Sequence, residues 1–151
     1  LYRGYTSRSV EAGWQYSKVY EEHVDQDGNP TEAYFRWAQM GWSQYKADRY
    51  PMGKGRTPLY SWWDGEKLDY LTARKRIYIP LYARAVVKTE AFAKLKQIYV
   101  ETGELLLRDF DGYDYLAEGL TIKEVLNRTD KKMGHAFVLA MLLTPTEEWD
   151  K

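Results

Sequence analysis

Between residues 31 and 46 the apolar positions fall at helical spacing. Tyr34, Ala38, Gly41, Trp42 and Tyr45 form one stripe, and Arg36, Gln39 and Lys46 lie off it. Asn29 and Pro30 precede the run as N-cap and first-turn residue. Before them, Asp25-Gln-Asp-Gly-Asn-Pro30 reads as a plain turn. It lacks the twelfth-position Glu of a calcium loop. Leu1 to Ser7 reads as a short strand, and Val10 to Val24 stays open between helix and strand. Prolines and glycines from Tyr50 to Pro58 break regular structure, and Tyr60–Trp63 comes next as a short strand ending at Asp64-Gly65.

A helix is predicted from Glu66 to Tyr78, with Pro80 ending or kinking it because its ring removes a backbone donor. Further helices are expected from Pro80 to Lys88 and from Thr89 to Glu101. The second carries Phe92, Leu95, Ile98 and Tyr99 inward and stops at Gly103. Three consecutive leucines make Glu104–Phe110 a buried strand. Thr121-Ile-Lys-Glu124 is a capping box. Gly134 to Leu143 fits a core strand or a buried helix, its Ala and Met content leaning helical. With no repeat, linker or low-complexity tract, residues 1–151 read as one small single domain. Its expected class is α+β, mainly helical with a few short strands.

Composition narrows the function more than the fold. Lys plus Arg and Asp plus Glu each total 22, and a neutral chain argues against a dedicated duplex-binding protein, which is usually basic. The absence of cysteine excludes disulfides, thiolate zinc sites and a thiol nucleophile, and is compatible with a reducing, cytoplasmic setting. No apolar run is long enough to span a membrane. The N-terminus lacks a secretory layout, while Leu1, not being a start Met, leaves a preceding leader open. The unusual feature is aromatic: 14 Tyr, 6 Trp and 4 Phe make up 16% of the chain. Such rings stack on bases and sugars, and they also fill small cores; both uses stay open.

Four segments could carry chemistry. Gly53-Lys-Gly-Arg56 sets Lys54 and Arg56 among glycines, where backbone and cations could meet a phosphate, without the spacing of a Walker loop. Tyr60-Ser-Trp-Trp-Asp-Gly-Glu66 puts Trp62 and Trp63 on opposite strand faces, beside carboxylates able to act as a base or hold ribose. Arg108-Asp-Phe-Asp-Gly-Tyr-Asp114 offers Asp109, Asp111 and Asp114 for ribose or Mg²⁺, with solvated turn acids as the alternative. It resembles the first motif of haloacid-dehalogenase-type phosphatases, but the chain remaining after Asp114 is too short for that fold. Arg74-Lys-Arg76 is a basic run that on a helix fans around the axis. His23 and His135 are the only histidines, and neither has a nucleophile-triad or zinc context.

Taken in order, these pieces resemble the NADAR superfamily over roughly Tyr60 to Leu143. The order is an aromatic-Asp-Gly turn, an Arg/Tyr-rich helical block, a strand ending in acids and the closing Gly134-His-Ala-Phe-Val-Leu-Ala-Met141. That family's Ser-Glu-His helix start is missing, and Gly65-Glu66-Lys67 stands in the comparable region. The resemblance implies a small α+β hydrolase that cleaves N-glycosidic bonds in ADP-ribose-like or ribosylated nucleotides, free or attached to nucleic acid. It implies Glu66 as catalytic carboxylate with Asp109 or Asp111 as second choice, and Trp62 or Trp63 stacking the base. Lys54, Arg56 or Arg74 would bind the diphosphate, Asp114 would complete the substrate site, and no metal or other cofactor is called for. Two other classes remain. One is a non-enzymatic module holding single-stranded nucleic acid or nucleotides by stacking and the Gly-Lys-Gly-Arg loop. The other is a partner-binding protein whose exposed aromatics mark an interface.

Overall fold

A computed structural model describes residues 1–144. It shows an α+β chain, mainly helical, with a small antiparallel sheet. Contacts group the chain into two compact units, Leu1–Leu81 and Tyr82–Lys151.

Unit 1 is built on the aromatic-rich half of the chain. Ser9 caps α1 (Val10–Gln15), its hydroxyl accepting from the Ala12 N–H. The stretch from Val10 to Val24, ambiguous in sequence, holds both helix and strand, because β1 (Lys18–Val19) succeeds α1 at once. Leu1–Ser7 is not a strand; it is irregular, with Arg3 and Gly4 at positive φ in a turn closed by the Tyr5 N–H to the Tyr2 carbonyl. Thr31, rather than Asn29, caps α2 (Glu32–Ser43). The stripe Tyr34, Ala38, Gly41 and Trp42 is buried as its spacing predicts, but Tyr45 lies past the helix end and is 92% exposed. The Asp25 turn is an Asx turn, the carboxylate accepting from the Asp27 and Asn29 N–H groups.

β2 (Tyr60–Trp63) is the central strand, antiparallel to β1 on one side and to β3 (Glu66–Leu68) on the other. Asp64 (φ 46°) and Gly65 (φ 88°) join β2 to β3 in a two-residue hairpin whose two positive φ values are those of a type I′ turn. This overturns the predicted single helix from Glu66 to Tyr78. Glu66–Leu68 pairs with β2, and the helix begins only at α3 (Tyr70–Ala73), where the Asp69 carboxylate caps the Thr72 N–H. Nor does Pro80 end the helix. Arg74–Tyr78 widens into a π-helical turn, the Ile79 N–H bonding to the Arg74 carbonyl, and α4 (Ile79–Val86) continues through the proline.

The unit 1 core is largely aromatic: Tyr2, Tyr16, Tyr34 and Trp42 pack with Ala12, Val19 and Ala38. Gly41 is there because no side chain fits; a Cβ at that position would overlap the Tyr16 ring. The Tyr34 hydroxyl donates to the Tyr16 carbonyl at 2.9 Å, meeting the need of a buried phenol.

In unit 2, Thr89 caps α5 (Glu90–Thr102), which stops at left-handed Gly103 (φ 73°). Phe92 is buried as expected, but Ile98 is 48% exposed. The Thr121–Glu124 capping box opens α6 (Ile122–Asn127). Gly134 precedes α7 (His135–Leu143), a helix in keeping with its Ala and Met content. The predicted buried strand at Glu104–Phe110 is not formed. The segment pairs with no other strand among the described residues, and Leu106 is 82% exposed. No helix of the described residues is long and apolar enough to cross a membrane.

Candidate functional site

The candidate residues divide between the units. Lys54, Arg56, Trp62, Trp63, Glu66 and Arg74 belong to unit 1; Asp109, Asp111 and Asp114 belong to unit 2.

In unit 1, Glu66 opens β3 and pairs with Arg76 of the π-helical turn. Both side chains are about half exposed (56% and 47%), so the pair fixes geometry more than it adds stability. Trp62 and Trp63 are partly buried against the core cluster, Trp63 meeting the Tyr2 ring edge-on at 5.0 Å. The Tyr2 phenol is pushed up to about 12, chiefly by burial. Lys54 and Arg56 stand in an exposed loop whose Gly53 (φ 104°) and Gly55 (φ 84°) hold conformations open to glycine. Arg56 is engaged there: it pairs with Glu22 and lies over the Tyr20 ring at 5.6 Å. That pairing holds the Glu22 carboxyl below its ordinary range.

Arg74 stands apart. A basic run is expected to fan over a solvated face, and Lys75 and Arg76 do so, but Arg74 is only 2% exposed. Its guanidinium lies 5.0 Å from the Tyr70 ring centroid and donates to the Tyr70 hydroxyl at 3.2 Å. Tyr70 packs edge-on against Trp14 at 6.3 Å, and Trp14 meets Tyr78 at 5.5 Å. Lys18 sits over the other part of the group, its ammonium 5.1 Å from the Trp14 ring and 3.0 Å from Gln15 Oε1. Gln15 in turn donates to Glu11. Two cations, a carboxylate and three rings thus gather where α1, α3 and the π-helical turn meet.

Of this group, sequence reasoning finds only Arg74. The usable signal is the Asp69-x-x-Thr72 cap. It starts the helix at Tyr70, which places Tyr70 and Arg74 one turn apart on one face.

In unit 2 the three aspartates have separate surroundings. Asp109 accepts from the Ala136 N–H at 3.0 Å and so caps α7 from a distance in sequence. Gly134 makes this approach feasible: a Cβ there would stand 2.9 Å from Asp109 Cγ and closer still to its oxygen. Asp111 is half-buried beside the same glycine. Asp114 accepts from the Ala117 N–H in its own turn. The Asp109…Gly134-His motif is thus accounted for as a helix cap. Next to it the Tyr82 and His135 rings stack at 4.5 Å with planes 3° apart. Burial and then the nearby Asp109 raise the Tyr82 phenol above its ordinary value. Tyr113 lies under Lys131 (4.5 Å) and Arg128 (5.3 Å), the latter also paired with Glu118 and Asp130.

No protein-family model matches the chain, and no curated protein or solved structure is significantly similar to it.

Proposed function

We propose that this chain is a hydrolase cleaving the N-glycosidic bond of an ADP-ribose-like or ribosylated nucleotide, with the ligand seated on unit 1 at the Tyr70–Arg74 face. The observation that carries the proposal is the cluster of the Tyr70, Trp14 and Tyr78 rings with Lys18, set on the buried guanidinium of Arg74, which holds the Tyr70 hydroxyl. Tyr70, 43% exposed, offers a ring face to a base, and Lys18 over Trp14 adds a second cation to the same group of rings.

Glu66, fixed by Arg76, is the general base. It takes a proton from water as the water oxygen bonds to the anomeric carbon. As the C–N bond breaks, its electrons leave with the nucleobase and the ionised carboxylate offsets the positive charge developing on the ribosyl ring; the proton Glu66 then takes from the attacking water passes to the departing nucleobase. Lys54, in its glycine-flanked loop, is a mobile phosphate contact, and Asp109 serves as a helix cap instead of a catalytic acid. The motif order shared with the NADAR superfamily supports the substrate class, and the cysteine-free composition goes with a cytoplasmic setting.

The test is chromatographic release of base from an N-linked ADP-ribosyl substrate, run beside thermal unfolding with millimolar ADP-ribose. Wild type should turn over and be stabilised. Glu66→Gln should lose turnover by about 100-fold while keeping the stabilisation, and Arg74→Lys should lose the stabilisation. Stabilisation of the wild type without turnover would give a nucleotide-binding module in place of a hydrolase. Neither effect in the wild type would overturn the proposal.

A further inference from the structure

The leucine segment of unit 2 has the alternation of a strand and none of its partners. From Glu104 to Arg108 the side chains run exposed, half-buried, exposed, half-buried, exposed. Leu105 and Leu107 turn toward a groove of about 630 Å³ that also has Tyr99, Tyr115, Leu116 and Leu143 in its lining. Leu106, also in that lining, is 82% exposed between the two charges. Among the described residues, no hydrogen bond engages the backbone N–H or carbonyl of Leu105, Leu106, Leu107 or Arg108. Neither Glu104 nor Arg108 has an ion-pair partner there. An extended apolar edge of this kind is a ready template for another strand.

We propose that the partner is a second copy of the same segment, paired antiparallel about a two-fold axis through Leu106. The charge pattern selects that occupant. Glu104-Leu-Leu-Leu-Arg108 is complementary to itself when reversed: Leu106 meets Leu106, and each Glu104 faces the Arg108 of the other copy. Parallel pairing would set Glu104 on Glu104 and Arg108 on Arg108. A one-residue slip would send the outward set to the opposite face and separate the charges. Edges protected against self-association carry charges of one sign, which repel in an antiparallel pair. This one carries opposite signs at the two ends. The exposed Leu116 (71%), in the lining of the same groove, adds apolar surface beside the seam.

Sedimentation velocity of the full chain from low to high micromolar concentration tests this through charge swaps. Wild type should dimerise with rising concentration. Glu104→Arg and Arg108→Glu should each weaken the dimer by about tenfold, because each places like charges opposite one another at both ends of the seam. The double swap Glu104→Arg/Arg108→Glu should restore it, and an equimolar mixture of the two single variants should form a heterodimer. A wild type that stays monomeric throughout would overturn the proposal. So would a dimer indifferent to all the swaps, or one that the double swap fails to restore. Circular dichroism of each variant separates a lost interface from a lost fold.

Discussion

Two short runs, Tyr60–Trp63 in unit 1 and Leu105–Leu107 in unit 2, both read as strands in the sequence and have opposite fates. β2 is bordered on both sides, by β1 and β3, and the Trp62 N–H donates to the Ser17 carbonyl at 2.8 Å. One neighbour is local, β3 through a type I′ hairpin; the other, β1, is brought in from the far side of α2 in the sequence, Lys18 pairing with Ser61. The leucine run is succeeded by turns and by α6 and α7, none of which offers a strand. Hydrophobicity decides that a segment wants burial; the hydrogen-bonding company decides whether it receives it. Unit 1 closes its sheet with its own residues, and unit 2 holds a segment with the burial alternation of a strand that pairs with no strand among the described residues.

The difference is clearest in paired truncations. Leu68 of β3 is 4% exposed and Leu106 is 82% exposed. Leu68→Ala should cost about 2–5 kcal/mol of unfolding free energy, and Leu106→Ala within about 0.5 kcal/mol in dilute solution. Denaturant titration of the two variants side by side checks this, and equal losses would erase the distinction between the runs. Next in size is Gly41→Ala, which must push α2 off the Tyr16 ring and should cost about 1–3 kcal/mol despite the better helix propensity of alanine. The same titration reads it.

Unit 2 has its own close contact, at the α7 cap. Gly134→Ala and Asp109→Ala should each cost about 1 kcal/mol, and combining them should cost little more than either alone, since both remove one cap. Additive losses would mean that Asp109 does something beyond capping. The smallest effect belongs to His23. Burial lowers its imidazole below the ordinary value, with Glu22 opposing. The unfolded chain therefore binds the proton more readily, and stability falls as pH drops through about 6.5 toward the lowered value. His23→Gln should flatten that part of the profile by a fraction of a kcal/mol, as read from denaturant midpoints at a series of pH values.

Much of this architecture is legible in the chain, and the misses have physical causes. The α2 stripe, the Asp64-Gly65 turn, the Gly103 stop and the Thr121 capping box are local signals, and each is present. Glu66-Lys-Leu68 reads as the start of a helix until the hairpin is considered: a type I′ turn of two residues commits the next segment to pair back. The burial of Arg74 is hidden because a basic triplet suggests solvent, and the π-helical turn before Pro80 has no one-residue signature. Asp109 resembles a site because an acid after an apolar run often is one. Its role depends on Gly134, twenty-five residues on, which only the fold brings close. In the leucine run the sequence shows an apolar segment that seeks burial, and which strands are on hand to pair with it, none among the described residues, depends on the rest of the fold.

Amide hydrogen exchange at two protein concentrations is the decisive measurement on the two runs. At low concentration the Trp62 amide should be protected and the Leu105–Arg108 amides should exchange at rates near those of an open chain. At high concentration protection should appear at alternate amides of Leu105–Arg108, those that face the second copy, and leave Trp62 unchanged. Protection of the leucine amides that is already strong in dilute solution, or absent at every concentration, would contradict an edge strand that waits for its second copy.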